Sequence, residues 1–446
     1  KSPFVGCVRR RVLLSNTEVV LVPEEGVTRR EFVEVAGRSA AALVAAPAVI
    51  RGIDPLSEPV RIGHIGLGVR GGTLVEQFAQ TAGATVVAVS DVYAPHLQKG
   101  VERSKNPDVK TYLDYRELLD DPRVEAVVIA TPDHWHEQMV LDAVAAGKDI
   151  YCEKGWTMSV AAAKRMREAI QKRGTVLQLG HQGRQLAGPI EAGKRIRDGA
   201  LGPVTMVRTG RYFNGSMERP PWRWYGWYSN YERPDPKQVV AALDWERWLG
   251  PAPSIEFNER HFWHWRCYWP YGTGQAGDLL SHELDHVQSV LGYGMPDTCA
   301  CVGLNAVYDD DREVPDTWLA TYQFEEQRCT VHFEGIQNSR RQQPPEYCGK
   351  DARLIFNTIG QSASQFAIYP DANAWAEPEP TFRFDPESAE PRPSHAEDFL
   401  RCVRTRQRPQ CNEDEAFIET VTYLMSVESY RRRRQVRWDP EREEIV

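Results

Sequence analysis

The stretch Val60–Asp91 constrains this chain more than any other. An apolar run, Val60–Ile65, leads directly into Gly66-Leu67-Gly68-Val69-Arg70-Gly71. A helix-like segment follows, then a second apolar run, Thr85–Ser90, that ends on Asp91, twenty residues after Gly71. A lone G-x-G-x-x-G is weak evidence, but one set between a strand and a helix and followed by an acid is a dinucleotide-binding fingerprint. Gly66 permits the tight turn, Gly68 lets backbone approach a pyrophosphate, and Gly71 lets the helix pack close to the strand. Val69 and Arg70 open the helix, whose unpaired N–H groups and positive dipole end suit phosphates. Asp91 would accept hydrogen bonds from ribose hydroxyls. The next residues, Val92 and Tyr93, are not basic, so NAD is expected rather than NADP.

The 446 residues suffice for two domains. A net charge of −8 offers no broad surface to nucleic acid or anionic membrane. Nine cysteines without a C-x-x-C exclude a disulfide framework and a structural zinc site, and read as buried thiols. Near the start, Thr28-Arg29-Arg30-Glu31-Phe32 is a twin-arginine pattern. It is followed by an Ala-rich apolar segment and by Ala46-Pro47-Ala48, which resembles a cleavage site. Residues 1–48 are therefore expected to be a leader outside the fold, exporting the protein to the periplasm or beyond. A chance Arg-Arg pair would leave it in the cytoplasm. No membrane span is expected after removal of the leader.

From 59 to 181, β-like runs (Val60–Ile65, Thr85–Ser90, Ala126–Thr131, Asp149–Tyr151, Val176–Leu179) alternate with helical patterns at 72–82, 114–120, 135–146 and 158–173. Such alternation implies an α/β doubly wound parallel sheet of the Rossmann kind, with ligands at the C-terminal ends of its strands. From 182 to 446, β-branched and aromatic runs (Val204–Phe213, Trp318–Phe324, Arg328–Glu334, Ala352–Asn357) imply an α+β domain on a mostly antiparallel sheet. Residues 370–393 read as a surface loop, Tyr308–Arg312 as a solvated turn, and Ser394–Tyr430 as helical, packing back on the body.

Several motifs should face the crevice. Ala130-Thr131-Pro132-Asp133-His134-Trp135-His136 closes the third long run, which places Thr131, Pro132, His134 and His136 over the nicotinamide half of a dinucleotide. Glu153 and Lys154 follow the next run. A lysine there can hold a substrate hydroxyl and stabilise an alkoxide. Trp156 would flank the sugar or nicotinamide, and His181 and Arg184 would contact substrate. The segment 212–271 holds eight of the thirteen tryptophans. Flat aromatic faces suit the C–H faces of sugars, so Trp222, Trp224, Trp227, Trp265 and the adjoining Arg266 read as a carbohydrate pocket wall or as core. His282-Glu283-Leu284-Asp285-His286 matches H-E-x-x-H, a zinc pattern on a helix. No third-ligand pattern follows and position 289 is Ser, so no metal is expected and His286 is assigned to substrate.

Together, GLGVRG at 66–71, ATPDHWH at 130–136, CEK at 152–154, GTGQAGDLLSH at 272–282, PSHAEDFLRCV at 393–403 and RWDPE at 437–441 resemble the glucose–fructose oxidoreductase/inositol dehydrogenase (Gfo/Idh/MocA) family over residues 59–446. The resemblance implies a Rossmann domain followed by an α+β domain whose open sheet forms a homodimer or tetramer interface. It implies that Lys154, Asp278 and His282 are catalytic. His282 would exchange the hydroxyl proton while hydride moves between a sugar or glycoside carbon and the nicotinamide. The family's proline after the lysine is replaced here by Gly155. Three functions follow. The first is an NAD-dependent sugar oxidoreductase. The second is a glycoside hydrolase that retains NAD and works by transient oxidation, elimination, water addition and re-reduction. The third, a non-catalytic sugar-binding protein, sits poorly with the intact motifs.

Overall fold

The computed structural model describes residues 58–214, 235–339, 343–357, 364–371 and 378–446. The leader expected at 1–48 and the residues Trp222, Trp224 and Trp227 lie outside them.

The first sheet contains β1 (Val60–Ile65), β2 (Ala84–Ser90), β3 (Lys110–Tyr112), β4 (Ala126–Ile129), β5 (Asp149–Cys152) and β6 (Leu177–Leu179). They are all parallel in the order β3-β2-β1-β4-β5-β6. Its inner strands read as unbroken apolar runs because helices cover both faces; every residue of β4 and of β5 is buried. The helix Val160–Arg173 shows how local chemistry sets the limits. The Ser159 side chain accepts from the Ala162 N–H at its start, and Gly174 takes a left-handed conformation at its end. The helix Ala94–Ser104 and strand β3 escaped the sequence reading. Pro95 and Gly100 mask the first, and the second is a three-residue edge strand with two exposed positions.

The second sheet contains β7 (Val204–Tyr212), β8 (Thr298–Leu304), β9 (Thr317–Phe324), β10 (Cys329–Ile336), β11 (Glu346–Gly349), β12 (Ala352–Phe356), β13 (Phe366–Pro370), β14 (Phe382–Phe384), β15 (Val436–Asp439) and β16 (Glu444–Ile445). Their order is β14-β13-β12-β11-β7-β10-β9-β8-β15-β16. Among the described strands only β7 and β10 pair in parallel. Strict alternation of buried and half-buried residues in β10 shows a sheet with one covered face. The helices Ser281–Leu291 and Glu413–Arg432 pack on that side. The fold class is therefore the expected one, a parallel Rossmann sheet followed by a mostly antiparallel α+β sheet.

Two expectations need correction. Residues 370–393 are not loop throughout, since they include β14 and a short 3-10 turn at Pro386–Ser388. Tyr308–Arg312 is not a solvated turn: Tyr308 and Arg312 are buried, and the Arg312 guanidinium donates to both oxygens of Asp310. The stretch Ser394–Tyr430 is helical as expected but in two pieces, His395–Thr405 and Glu413–Arg432, separated where Arg406 adopts φ +58°.

The helix His395–Thr405 completes the Rossmann half. Its Ala396, Phe399, Leu400 and Val403 share one apolar core with Val60, Ile62, Val75, Phe78, Val86 and Tyr151. The chain thus returns across the division expected at residue 181. All described cysteines are free, and all but Cys348 are buried. Among the described residues no helix is long and apolar enough to cross a membrane.

Candidate active site

The strand order of the first sheet reverses between β1 and β4, so the loops leaving these two strands diverge and open a crevice. A cavity of about 480 Å³ lies there, lined by Gly66, Gly68, Val69, Arg70, Asp91, Thr131, Pro132, Glu153, Lys154, Trp265, Arg266 and His282.

At one end stands the glycine turn. Gly66 has φ +81°, and a Cβ on Gly71 would sit 1.8 Å from the Gly66 carbonyl oxygen. Gly71 therefore sets helix packing and does not line the cavity, whereas Gly68 faces open space. The Asp91 carboxylate accepts from the Leu67 N–H at 2.6 Å and the Tyr93 N–H at 2.9 Å. It also lies 3.5 Å from the imidazole of His96. His96, on the overlooked helix Ala94–Ser104, shares this wall. This end fits a dinucleotide: helix N–H groups meet a Cβ-free approach, and a backbone-anchored carboxylate keeps lone pairs for ribose hydroxyls.

Midway, the Arg70 guanidinium donates to Glu153 at 2.7 Å. Burial opposes ionisation of Glu153, but Arg70 and Lys154 outweigh it and hold its pKa below the ordinary value.

At the far end Lys154 leaves β5. Its ammonium donates to the Asp278 carboxylate at 2.6 Å and to the Asp278 carbonyl at 3.0 Å. The Arg266 guanidinium donates to the same carboxylate oxygen at 2.9 Å and lies 4.0 Å over the Trp265 ring. Asp278 sits on a single π-helical turn, Ala276–Leu280, that runs straight into the helix Ser281–Leu291 carrying His282. A π turn at a functional position is a recurrent device. The Lys154–Gly155 peptide is cis. A Cβ on Gly155 would meet the Gly277 backbone at 3.2 Å, so this departure from the family's proline matches the close approach of the π turn.

Asp133 lines the same cavity at only 6% exposure. Burial pushes its pKa up to about 7, with Arg266 and Lys154 pulling against it. Burial and the nearby Lys154 and His181 keep His282 well below the ordinary imidazole value.

Six sequence assignments are corrected by the packing. His134 is half-buried, 3.2 Å from the Trp248 carbonyl and packed beside the Trp248 and Tyr271 rings, and so braces the aromatic segment. His136 spans the Gly155 carbonyl at 2.8 Å and the Thr131 carbonyl at 3.0 Å, tying two cavity loops together from behind. Trp156 is fully buried in the core. His181 is fully buried behind His282. Arg184 is taken by Asp285 at 2.6 Å and Glu415 at 2.9 Å. His286 packs edge-on to Phe356, with ring centroids 4.7 Å apart.

The H-E-x-x-H residues do not converge either. Glu283 is held by Arg211 at 2.7 Å and by Thr209, and His286 points away from His282's surroundings. Of the aromatic segment, Trp248, Phe262, Trp263 and Trp265 reach the cavity. Trp269 packs instead beside Trp318 and Tyr430.

Comparison with known proteins followed the same outline. A family model described as "Oxidoreductase family, NAD-binding Rossmann fold" (Gfo/Idh/MocA) matches residues 60–181, and its companion, "Oxidoreductase family, C-terminal alpha/beta domain", matches residues 215–446. Inositol 2-dehydrogenase of Salmonella typhimurium is 32% identical over 159 residues, covering 35% of this chain and 47% of that enzyme. Alpha-N-acetylgalactosaminidase of Shewanella oneidensis is 33% identical over 159 residues, covering 30% of this chain and 35% of that protein. The match spans less than half the length of these curated relatives. Among solved structures, aldose-aldose oxidoreductase from Caulobacter crescentus superposes with a TM-score of 0.64 at 21% identity, over 85% of this chain and 100% of that one.

Proposed function

This chain belongs to the Gfo/Idh/MocA oxidoreductase family, and from that premise we propose that it moves a hydride between a ring carbon of a sugar or glycoside and NAD. The observation that carries the reading is the Lys154–Asp278–Arg266 cluster beside His282, at the end of the dinucleotide crevice opposite Asp91. When bound, the nicotinamide supplies the hydride acceptor. Everything else falls to the chain. The glycine turn and Asp91 hold pyrophosphate and ribose. Lys154 donates to the reacting hydroxyl and stabilises its alkoxide, with Asp278 fixing the ammonium in place. His282 accepts the hydroxyl proton, and a lowered pKa keeps it neutral and ready as a base near neutral pH. Trp265, beside Arg266 at the lysine end, offers its indole to the sugar. The residues that follow Asp91 in sequence, Val92 and Tyr93, are not basic, which favours NAD over NADP.

A second reading, glycoside hydrolysis by transient oxidation, draws on Asp133. Elimination from an oxidised sugar needs another proton-transfer group to help the aglycone depart. A carboxyl with a pKa of about 7 in the same cavity can serve. The galactosaminidase among the relatives lends it weight. Purified protein decides between the two. Formation of NADH in proportion to sugar oxidised, only when NAD is supplied, supports the dehydrogenase. Release of nitrophenol from p-nitrophenyl glycosides without net NADH supports the hydrolase. Neither outcome with any sugar sinks both. We further propose export through the twin-arginine leader and assembly through the open face of the second sheet, where Val302 and Leu304 are exposed. Cell fractionation and sedimentation test these.

A further inference from the structure

We propose that His282 does not act alone: His181 and Glu419 stand behind it as a buried proton relay that receives the substrate proton and holds it inside the protein. The three come from distant parts of the chain. His181 follows β6, His282 opens the helix Ser281–Leu291, and Glu419 lies within Glu413–Arg432. Nδ1 of His282 is 3.3 Å from Nδ1 of His181, the rings standing at 88° to one another. Nε2 of His181 is 2.5 Å from Oε2 of Glu419. That last contact is close but oblique to the ring N–H, an ion-pair geometry rather than an aligned hydrogen bond. Two lone pairs could not face each other at 3.3 Å, so the gap between the two rings holds a proton, while the Glu419 carboxylate acts on His181 through its charge.

The order of protons follows from the charges. Glu419 draws a proton to Nε2 of His181, which leaves Nδ1 of His181 as acceptor. Nδ1 of His282 then carries the proton between the rings, and Nε2 of His282 is the nitrogen that exchanges with substrate. When the substrate hydroxyl gives its proton to Nε2 of His282 as the C–H hydride departs, Nδ1–H of His282 passes to Nδ1 of His181. The substrate becomes a ketone, His282 is neutral again, and the positive charge rests on His181.

The surroundings favour that final position. His181 is faced by Glu419, Asp285, Glu153, Arg184, His282 and His395. Burial works against a charged His181, but the Glu419 and Asp285 carboxylates outweigh it and raise its pKa; burial and Asp285 also raise that of Glu419, with His181 and Arg184 pulling it back toward the carboxylate. His282 is faced by Lys154, Arg211, His181 and Asp278, and burial together with the cations there lowers its pKa. Charge on His181 is thus tolerated where charge on His282 is not. His181, Asp285 and Glu419 could also be grouped as ligands for a metal ion. The Arg184 guanidinium, donating to Asp285 at 2.6 Å, already supplies the positive charge at that cluster. His181 and Glu419 are not among the residues lining the crevice and are positioning residues. Their relay rests on the hydride-transfer reading.

The test uses full-length protein with 15N-labelled histidine, its rings assigned through single His variants and titrated by NMR with and without NAD. In the wild type His181 should take up its proton at higher pH than His282. In Glu419→Gln the His181 midpoint should fall by about one pH unit or more. The acid limb of the oxidation profile should move down with it, and the reductive rate at neutral pH should drop. His181→Gln keeps an acceptor for His282 but cannot carry charge, and should leave the oxidation profile following His282 alone. Protonation of His282 before His181 overturns the relay, as does a Glu419→Gln variant whose His181 midpoint and pH profile stay put. Loss of sugar-dependent NADH formation in the wild type would instead overturn the functional reading, and the NMR titration would still decide the relay.

Discussion

Lys154 and Asp278 are joined twice, ammonium to carboxylate at 2.6 Å and ammonium to backbone carbonyl at 3.0 Å. The second bond matters as much as the first, because it fixes the lysine to the π turn itself. Both side chains are almost fully buried, at 7% and 4% exposure; removing Asp278 would strip the buried ammonium of its carboxylate, whereas Arg266 still pairs with Asp278 once Lys154 is gone. Lys154→Ala and His282→Ala should each lower turnover by about 10²–10⁴-fold. Nucleotide affinity by calorimetry should stay nearly constant. Full activity of either variant would refute the catalytic assignment.

At Gly71 the glycine turn has no room for a methyl group. Gly71→Ala would place a Cβ 1.8 Å from the Gly66 carbonyl oxygen, which is backbone and cannot swing aside. Displacement of the turn should weaken NAD binding by at least about tenfold, a loss of roughly 1.4 kcal/mol or more. An unchanged dissociation constant would show that the turn does not contact the nucleotide.

Asp133 makes stability depend on pH. Its folded pKa, about 7, lies above the unfolded value, so the folded state keeps a proton that the unfolded state has lost. The contribution of Asp133 to stability is therefore greatest below the ordinary aspartate range and declines as pH rises toward 7. Asp133→Asn should remove that decline and stabilise the fold by roughly 2–4 kcal/mol above neutrality. Near about pH 4 it should do little. Thermal melts at both ends of the range check this; equal effects at both would contradict the assignment.

Phe399 is fully buried against Phe78 and Tyr151, with edge-on ring contacts at 6.2 and 5.8 Å. Phe399→Ala should cost about 3–5 kcal/mol. Since Phe78 lies in the helix after the glycine turn, nucleotide binding should fall together with stability. Chemical denaturation with and without NAD would separate this from a local effect.

The Rossmann half was legible because its signals are local. The glycines, the apolar runs and the motif after β4 each sit within a few residues of the structure they specify. Lys154, Asp278 and His282 were reachable through resemblance, and the structure sets Lys154 and His282 on the cavity wall with Asp278 buried against Lys154. Trp156, His134, His136, His181, Arg184 and His286 were misassigned for one shared reason. Loops after parallel strands point generally at the crevice, but whether a given side chain turns toward it or behind it depends on packing from distant elements. Trp248 decides His134, Gly155 decides His136, and Glu415 and Asp285 decide Arg184. His96 could have been found by tolerating Pro95 at a helix start, where proline is at home. Glu419 carries no local signal that ties it to a histidine far away in sequence.

The helix His395–Thr405 seals the Rossmann sheet against Phe78 and Val86. During synthesis this core therefore lacks Ala396, Phe399, Leu400 and Val403 until residue 403 has cleared the ribosome. Strands made first must wait for a helix made more than two hundred residues later.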